Sequence, residues 1–161
     1  MRTICNAKEE VPFKHTLRLA GLKGEIVRVS ALFDGVAMVV AMCQLVFEKI
    51  KHRLGGWEKS KKQLQMANGV LVPSQVVWEG VMQLGGIDIE GNFEVFNSRR
   101  NWAFLLGKPL LHQFNAKQDF LSDTVTICKV PGTEPITLYN EIRQLLGDDR
   151  TTSQVLSLTN G

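Results

Sequence analysis

The sequence contains no long hydrophobic run. It never approaches the roughly 18 consecutive apolar residues that a transmembrane helix needs, which argues against a helical membrane protein. The first six residues, Met1–Asn6, have no apolar segment behind their arginine, so we expect no signal peptide. The expected location is therefore intracellular, either cytoplasmic or nuclear.

Cysteine and histidine are also scarce. The three cysteines are Cys5, Cys43 and Cys128, and the three histidines are His15, His52 and His112. Neither set shows the short, paired spacing of a disulfide framework or of a zinc site. We therefore predict free thiols in a reducing compartment, and neither a metal ion nor a cofactor.

Charge of one sign is not in large excess. The net charge is +3 and the pI is about 8.8, which is well short of the basic footprint of a nucleic-acid-binding domain. The cations that do cluster are interpreted as a solvated helix face and the loop after it: Lys49, Lys51, His52, Arg53, Lys59, Lys61 and Lys62. Nucleic acid is not an expected partner. A small basic β-domain stays open as a third hypothesis, which predicts strongly salt-dependent binding.

What is present favours one strand-rich domain. A chain of 161 residues with 44% hydrophobic and 22% charged residues can bury a single packed core. Glycine (14 residues) outnumbers proline (5 residues), which favours strands joined by tight turns. We divide the chain into an N-terminal extension (1–11), a domain (12–130) and a weakly ordered C-terminal tail (131–161).

Hydrophobic periodicity predicts the elements. Alternation predicts a hairpin of Phe13–Leu19 and Glu25–Phe33, while helical spacing runs from Cys43 to Leu54 and ends at Gly55-Gly56. Further strands are predicted at 64–66, 70–82, 87–89, 92–96, 103–106 and 123–128, with turns at Asn68-Gly69, Gly85-Gly86 and Gly91-Asn92 and one helical turn at 110–114.

The most informative segment is Ala31-Leu32-Phe33-Asp34-Gly35-Val36-Ala37. An apolar strand runs into a single carboxylate, then into small residues, and then into a new apolar run. Taken alone, Asp34 would be interpreted as the cap of the following helix, because Asp is favoured at helix N-termini. The rest of the sequence supports a different interpretation.

Three segments, in this order, resemble the retropepsin family, the single-domain aspartic proteases of retroviruses and gypsy-class retrotransposons, including fungal copies. Leu32–Ala37 stands where the family has two apolar residues, Asp, Ser or Thr, Gly and Ala. Met66-Ala67-Asn68-Gly69 is similar to the start of the flap hairpin in retrotransposon members. Phe104–Leu111 is similar to the family's second signature, an apolar run into Gly and a short helix. A helix from about Val39 to Leu54 also matches the retrotransposon branch.

The resemblance implies a mostly-β, retropepsin-like closed barrel of short strands with a flap hairpin and one helix after the active-site loop. Two carboxylates must share one proton in this chemistry, and the chain offers one candidate, so a homodimer is implied. The expected activity is cleavage of a polyprotein by an aspartic endopeptidase, with a polypeptide as substrate. The implied site residues are Asp34 (acid/base), Gly35, Val36 and Ala37 (active-site loop), Asn68, Gly69 and Val70 (flap and substrate binding), and Leu106 and Gly107 (second signature).

The implied flap covers Lys62–Met82, with its tip near Asn68-Gly69. A flap closes over substrate, and an extended peptide would pair with it as an added strand. The three tryptophans are predicted to be core or rim anchors, although Trp78 on the flap arm is alternatively placed to touch substrate.

Two positions depart from the family pattern. Gly35 stands where the family has Ser or Thr, whose hydroxyl helps to tie the two active-site loops together. Val36 stands where the family has Gly, and a β-branched residue there predicts backbone strain or a blocked cleft. Sliding the motif by one residue makes Gly35 the family's Gly but deletes the hydroxyl residue. The departures keep open a second hypothesis, a catalytically degenerate module for dimerisation or peptide binding.

Overall fold

Short β-strands build most of the computed structural model, which describes residues 11–65, 68–98 and 102–143. The elements within these residues are, in chain order, β1 (Lys14–Ala20), β2 (Ile26–Phe33), β3 (Ala41–Cys43), α1 (Gln44–Leu54), β4 (Trp57–Lys59), β5 (Gln63–Gln65), β6 (Leu71–Pro73), β7 (Val76–Leu84), β8 (Ile87–Phe96), β9 (Phe104–Leu106), α2 (Lys108–Gln113), β10 (Lys117–Asp119), β11 (Thr124–Ile127) and β12 (Ile136–Tyr139).

Six strands close into a barrel. Their order is β1-β2-β9-β3-β8-β7, and β7 pairs back onto β1 through Arg18↔Gln83 and Leu19↔Met82. Closure leaves these strands without a free edge in the barrel wall. The mostly-β closed barrel predicted from the sequence is therefore confirmed.

The first hairpin shows why the alternating pattern was informative. In the β1–β2 pair, Leu17 lies opposite Val29 and Leu19 lies opposite Val27, and all four side chains are buried. Because side chains alternate across a strand, the residues between them face outward. The predicted hairpin is confirmed to within a residue or two.

The centre of the barrel is filled by stacked aromatic rings. Trp78 lies 5.1 Å from Phe93 in a stacked pair, and Phe93 lies 5.4 Å from Phe104 edge to face. Trp78 is only 1% exposed. The alternative in which Trp78 touches substrate is therefore wrong, because this side chain belongs to the core.

The helix after the Asp loop begins later than predicted. Residues Ala41–Cys43 form β3, which runs parallel to β8 and antiparallel to β9, and all three residues are buried. Their backbone groups complete the barrel wall, and this tertiary pairing replaces the helix from about Val39 that the resemblance implied, whereas the apolar spacing from Cys43 agrees with the observed start at Gln44. Helix α1 ends as predicted, since Gly55 has φ +62° and its N–H bonds to Lys51 O.

The predicted turn at Gly91-Asn92 is wrong. Strand β8 continues through both residues and pairs with β7 along its length, from Val76↔Val95 to Leu84↔Ile87. Gly91 serves packing rather than a turn, because a Cβ there would lie 3.2 Å from Leu110 Cδ1. The predicted turn at Gly85-Gly86 is correct, since both residues have positive φ.

Two smaller sheets complete the described chain. Strands β5 and β6 form a hairpin, so the predicted long arm over 70–82 is divided into β6 and β7 around Ser74 and Gln75. Strands β10, β11 and β12 form a three-stranded sheet.

Strand β12 falls in the predicted weakly ordered tail, and the sequence analysis missed it. Its neighbour Asn140 is 2% exposed, donates to Pro12 O and Asp123 Oδ2, and accepts from Lys14 N. The predicted extension up to residue 10 and the tail beyond residue 143 lie outside the described residues.

Candidate active site

The loop after β2 is shaped by its own carboxylate. Oδ1 of Asp34 accepts hydrogen bonds from the backbone N–H groups of Val36 (2.9 Å) and Ala37 (3.2 Å). Such side-chain-to-backbone bonds are typical of Asp at turns. The capping alternative is wrong as stated, because the residues that Asp34 binds lie in a loop and helix α1 begins only at Gln44.

The second signature lies directly beneath this loop. Phe33 and Leu106 are partners in the parallel β2–β9 pair, and Asp34 N donates to Leu106 O at 3.1 Å. A Cβ at Gly107 would lie 2.0 Å from Val39 O and 2.8 Å from Ala37 O. No side chain fits between these backbones, so glycine lets the loop rest on the start of α2.

The side chain of Asp34 lines a cleft between this loop and the β5–β6 hairpin. The cleft has a volume of about 600 Å³ and is lined by Leu32, Asp34, Val36, Ala37, Met38, Val39, Gln63, Leu64, Gln65, Phe96, Trp102 and Leu105. Among these lining residues, Asp34 is the one with an ionisable side chain. Most of the other side chains are apolar, so the cleft suits a ligand with apolar groups.

The structure brings some of the predicted site residues together and separates others. Asp34, Val36 and Ala37 line the cleft, and Leu106 and Gly107 support the loop from below. The three residues at the hairpin tip, Asn68, Gly69 and Val70, are exposed and do not line the cleft.

Sequence reasoning missed the far wall of the cleft. Gln63, Leu64 and Gln65 come from β5, and Phe96 and Trp102 pack edge to face at 5.4 Å. The alternation at Leu64 indicated a strand, and the implied flap of Lys62–Met82 was expected to close over the site, but no pattern singled out Gln63, Leu64 or Gln65 as the residues that face Asp34. Pairing across the molecule decides that placement.

The hairpin tip itself is built as predicted. Gly69 has φ +85°, which glycine adopts without steric cost, and Asn68 Oδ1 accepts a hydrogen bond from Val70 N at 3.0 Å. The strands pair in the register Gln63↔Pro73, Leu64↔Val72 and Gln65↔Leu71. Met66 and Ala67, which belong to the family-like segment, lie outside the described residues.

The two departures from the family pattern have simple steric consequences. A Cβ placed at Gly35 meets no atom within 4 Å, so a larger residue would fit there. Val36 is 87% exposed, and the described non-glycine residues with positive φ are Asn115 and Asp123. The backbone strain predicted at Val36 is therefore wrong, because its side chain extends from the loop with an ordinary φ.

Membrane-spanning helices and metal-binding clusters are both absent from the described residues. None of their helices has the length and hydropathy needed to span a bilayer. In the same part of the chain, no group of three His, Cys, Asp or Glu side chains is arranged to hold a metal ion.

Several of the clustered cations have carboxylate partners: Lys51 pairs with Glu48, and Arg53 pairs with Glu25.

Comparison with solved structures agrees with this architecture. The retroviral protease-like domain of Ddi1 from Leishmania major superposes with a TM-score of 0.54 at 14% sequence identity, over 81% of this chain and 96% of that domain. The chain has a retropepsin-like fold. At this identity the similarity shows the fold alone, and neither a family model nor a curated protein sequence matches the chain. The retropepsin-like assignment therefore rests on the barrel and its topology.

Proposed function

We propose that this retropepsin-like chain is an aspartic endopeptidase that acts as a homodimer, with one Asp34 from each subunit in the catalytic pair. The observation that carries the proposal is the position of Asp34, which opens into a peptide-sized cleft between the loop and the β5–β6 hairpin. Like charges held close together cannot both ionise, so the pair would share one proton. One carboxylate would activate a water molecule, and the protonated partner would assist the scissile carbonyl.

The hydrogen bonds of the Asp34 carboxylate are compatible with a role as general acid or base. Its Oδ1 is fixed by the N–H groups of Val36 and Ala37, and within the described residues no hydrogen bond reaches Oδ2. One oxygen is therefore positioned by the loop while the other is free for a proton, a water molecule or the partner carboxylate. This division suits a general acid or base.

The exposed loop side chains support a dimer. Val36 is 87% exposed and Met38 is 71% exposed, and both lie beside the carboxylate. Apolar side chains this exposed at the edge of a site are typical of a surface that a partner covers. A second copy of the chain would cover them and would also supply the second carboxylate.

The finer assignment is a retrotransposon-type enzyme that cleaves a polyprotein. It is supported by the Met66–Gly69 segment and by helix α1 after the Asp loop, which are the features that resemble that branch. The β5–β6 hairpin would then act as the flap. Its two strands offer backbone groups with which an extended peptide would pair.

One observation favours a second candidate, a non-cleaving module for dimerisation or peptide binding. Gly35 carries no hydroxyl, so the loop lacks the group that ties the two active-site loops together in the family. A module would keep the cleft and the dimer, but its two Asp34 carboxylates would not be held in the geometry that the catalysis needs.

Cleavage of a peptide library at acidic pH separates the two candidates. The Asp34→Asn variant removes the acid but keeps an oxygen for the loop N–H groups. Asp119→Asn is the matched control, because Asp119 Oδ1 makes the same contacts in another turn, with Leu121 N (2.9 Å) and Ser122 N (3.4 Å). We expect cleavage by the parent and by Asp119→Asn, and none by Asp34→Asn. A folded, dimeric parent that cleaves nothing would instead identify the module.

A further inference from the structure

One carboxylate is buried in the barrel wall close to the cleft. Glu94 on β8 is 4% exposed, between the buried residues Phe93 and Val95. A buried carboxylate requires partners, because its desolvation is costly. Its Oε1 accepts a hydrogen bond from Ser60 Oγ at 2.6 Å, whereas its Oε2 has no hydrogen-bond partner and lies 3.7 Å from Lys62 Nζ.

Both of these partners belong to the segment that leads into the β5–β6 hairpin. Ser60 Oγ also accepts a hydrogen bond from Lys62 N at 3.2 Å, so a continuous chain of bonds runs from the hairpin backbone to Glu94. The other arm joins the same point, since Ser74 N donates to Lys62 O at 2.8 Å. The root of the hairpin is therefore tied to one buried side chain.

The backbone of the same residue contacts the Asp34 loop. Glu94 N donates to Val40 O at 3.0 Å, and Ala41 is its partner in the parallel β3–β8 pair. Val40 follows the cleft-lining residues Val36–Val39. Glu94 thus holds the end of the loop with its backbone and the root of the hairpin with its side chain.

Other contacts also hold the hairpin: Gln75 N donates to Val95 O at 2.8 Å, and Leu64 packs in a small buried cluster with Ala41 and Phe96. Of its six strand residues, Leu64 is buried, Val72 is half-buried, and the other four are exposed. An element with so few buried contacts belongs to the low-stability part of a protein. The buried, charge-assisted hydrogen bond from Ser60 to Glu94 adds to these contacts at the root of the hairpin, on the arm that leads into β5.

We propose that Glu94 is a positioning residue that sets the placement of the β5–β6 hairpin relative to the Asp34 loop, and thereby the width of the cleft. Its consequence for peptide entry rests on the proposed function, but the placement itself does not. The two partners of Glu94 contribute differently. Ser60 supplies a short hydrogen bond, and Lys62, whose side chain is 71% exposed, supplies a longer ionic contact.

Amide hydrogen exchange of the full chain tests the proposal. The variants are Ser60→Ala, Lys62→Met and Glu94→Gln, and the control is Glu90→Gln, which changes an exposed carboxylate of the same strand. We expect exchange about tenfold faster at the amides of β5 and β6 in Ser60→Ala, with β1 and β2 unchanged, and a smaller increase in Glu94→Gln, whose amide oxygen still accepts from Ser60 but without charge assistance. Lys62→Met should have a smaller effect in the same direction, and Glu90→Gln none. The double variant Ser60→Ala/Glu94→Gln should exchange less fast than the two single effects combined would predict, because both variants change the same contact.

Two results would overturn the proposal. One is unchanged hairpin exchange in folded Ser60→Ala and Glu94→Gln, and the other is equal acceleration in every strand, which would show a purely structural role. If Glu94→Gln does not fold, the exchange rates of Ser60→Ala and Lys62→Met test the proposal. These variants change the partners of Glu94 and leave the buried carboxylate itself in place. The readout requires no cleavage, so a chain that cleaves no peptide would disprove the proposed activity without affecting this result.

Discussion

At the scale of single residues, two glycines beside Asp34 have opposite roles. Gly107 lies in contact with backbone oxygens of the loop, whereas Gly35 lies in open space. The same residue type is therefore required at one position and replaceable at the other. The difference follows from the parallel pairing of β2 with β9, which brings Gly107 underneath the loop.

The first prediction concerns stability. Gly107→Ala should lower the free energy of unfolding by about 3 kcal/mol, because the new methyl group would displace the carbonyl groups of Ala37 and Val39. Gly35→Ala is the matched control and should change it by less than about 1 kcal/mol. Urea denaturation of both variants provides the measurement. Equal stability of the two would show that the loop does not rest on Gly107.

The second prediction concerns activity. Gly35→Ser should raise kcat/KM for peptide cleavage by roughly fivefold, because it restores a hydroxyl that can tie the loops of two subunits, an interaction of about 1 kcal/mol. The open space around Gly35 means that the fold should be unaffected. Steady-state kinetics of the parent, Gly35→Ser and Gly35→Ala are the measurement. A rise that appears equally in Gly35→Ala would rule out the hydroxyl as its cause.

At the scale of elements, strand β7 shows how packing restricts a side chain. A Cβ at Gly80 would lie 2.5 Å from Cζ2 of Trp78, and that ring is held by its stack on Phe93. Glycine is unfavourable in strands, so its presence here reflects the space that the indole occupies. The sequence pattern predicted the strand, but it did not indicate that one of its own side chains folds back over it.

The third prediction tests this contact. Gly80→Ala should lower the free energy of unfolding by about 2 kcal/mol, since the buried indole has no room to move. Trp78→Phe removes the atoms that collide, so the double variant should lose less stability than the sum of the two single variants. Denaturation of all four proteins measures the coupling. Strict additivity would mean that the two positions do not interact.

At the scale of the whole molecule, the proposed function requires two subunits to meet at the Asp34 loop. Two of the places where apolar side chains are strongly exposed are Val36 and Met38 beside the cleft, and Phe120 and Leu121 in the turn before β11. Leu121 is fully exposed at 100%. The proposed catalytic pair requires that the first place, and not the second, lies at the subunit interface.

The fourth prediction follows from that requirement. The parent should have the mass of a dimer in solution, and Val36→Asp should shift it to a monomer without unfolding, because it places a charge in the apolar contact. Leu121→Glu should leave the dimer intact. Light scattering over a range of concentrations measures the mass. A parent that stays monomeric would refute the catalytic pair. Dissociation by Leu121→Glu alone would place the interface at the turn between β10 and β11.

The local sequence pattern was sufficient to predict much of the barrel. The β1–β2 hairpin, the end of helix α1 at Gly55, the turn at Gly69 and the hydrogen bonds from Val36 and Ala37 to Asp34 all depend on interactions between residues close together in the chain. The order of these parts was also sufficient to indicate a retropepsin-like fold. Alternation, helix-ending glycines and Asn-Gly turns are local properties, and they survive in the folded molecule because the tertiary structure does not oppose them.

Long-range contacts decided the rest. Ala41–Cys43 is a strand because it pairs with β8 and β9 in the barrel wall, and Gly91 lies within a strand because β8 pairs with β7 through Gly80. The far wall of the cleft and the Glu94 contact join segments that are distant in sequence. No periodicity encodes such contacts, since they exist only when closure of the barrel brings the hairpin root and the Asp loop to the same strand.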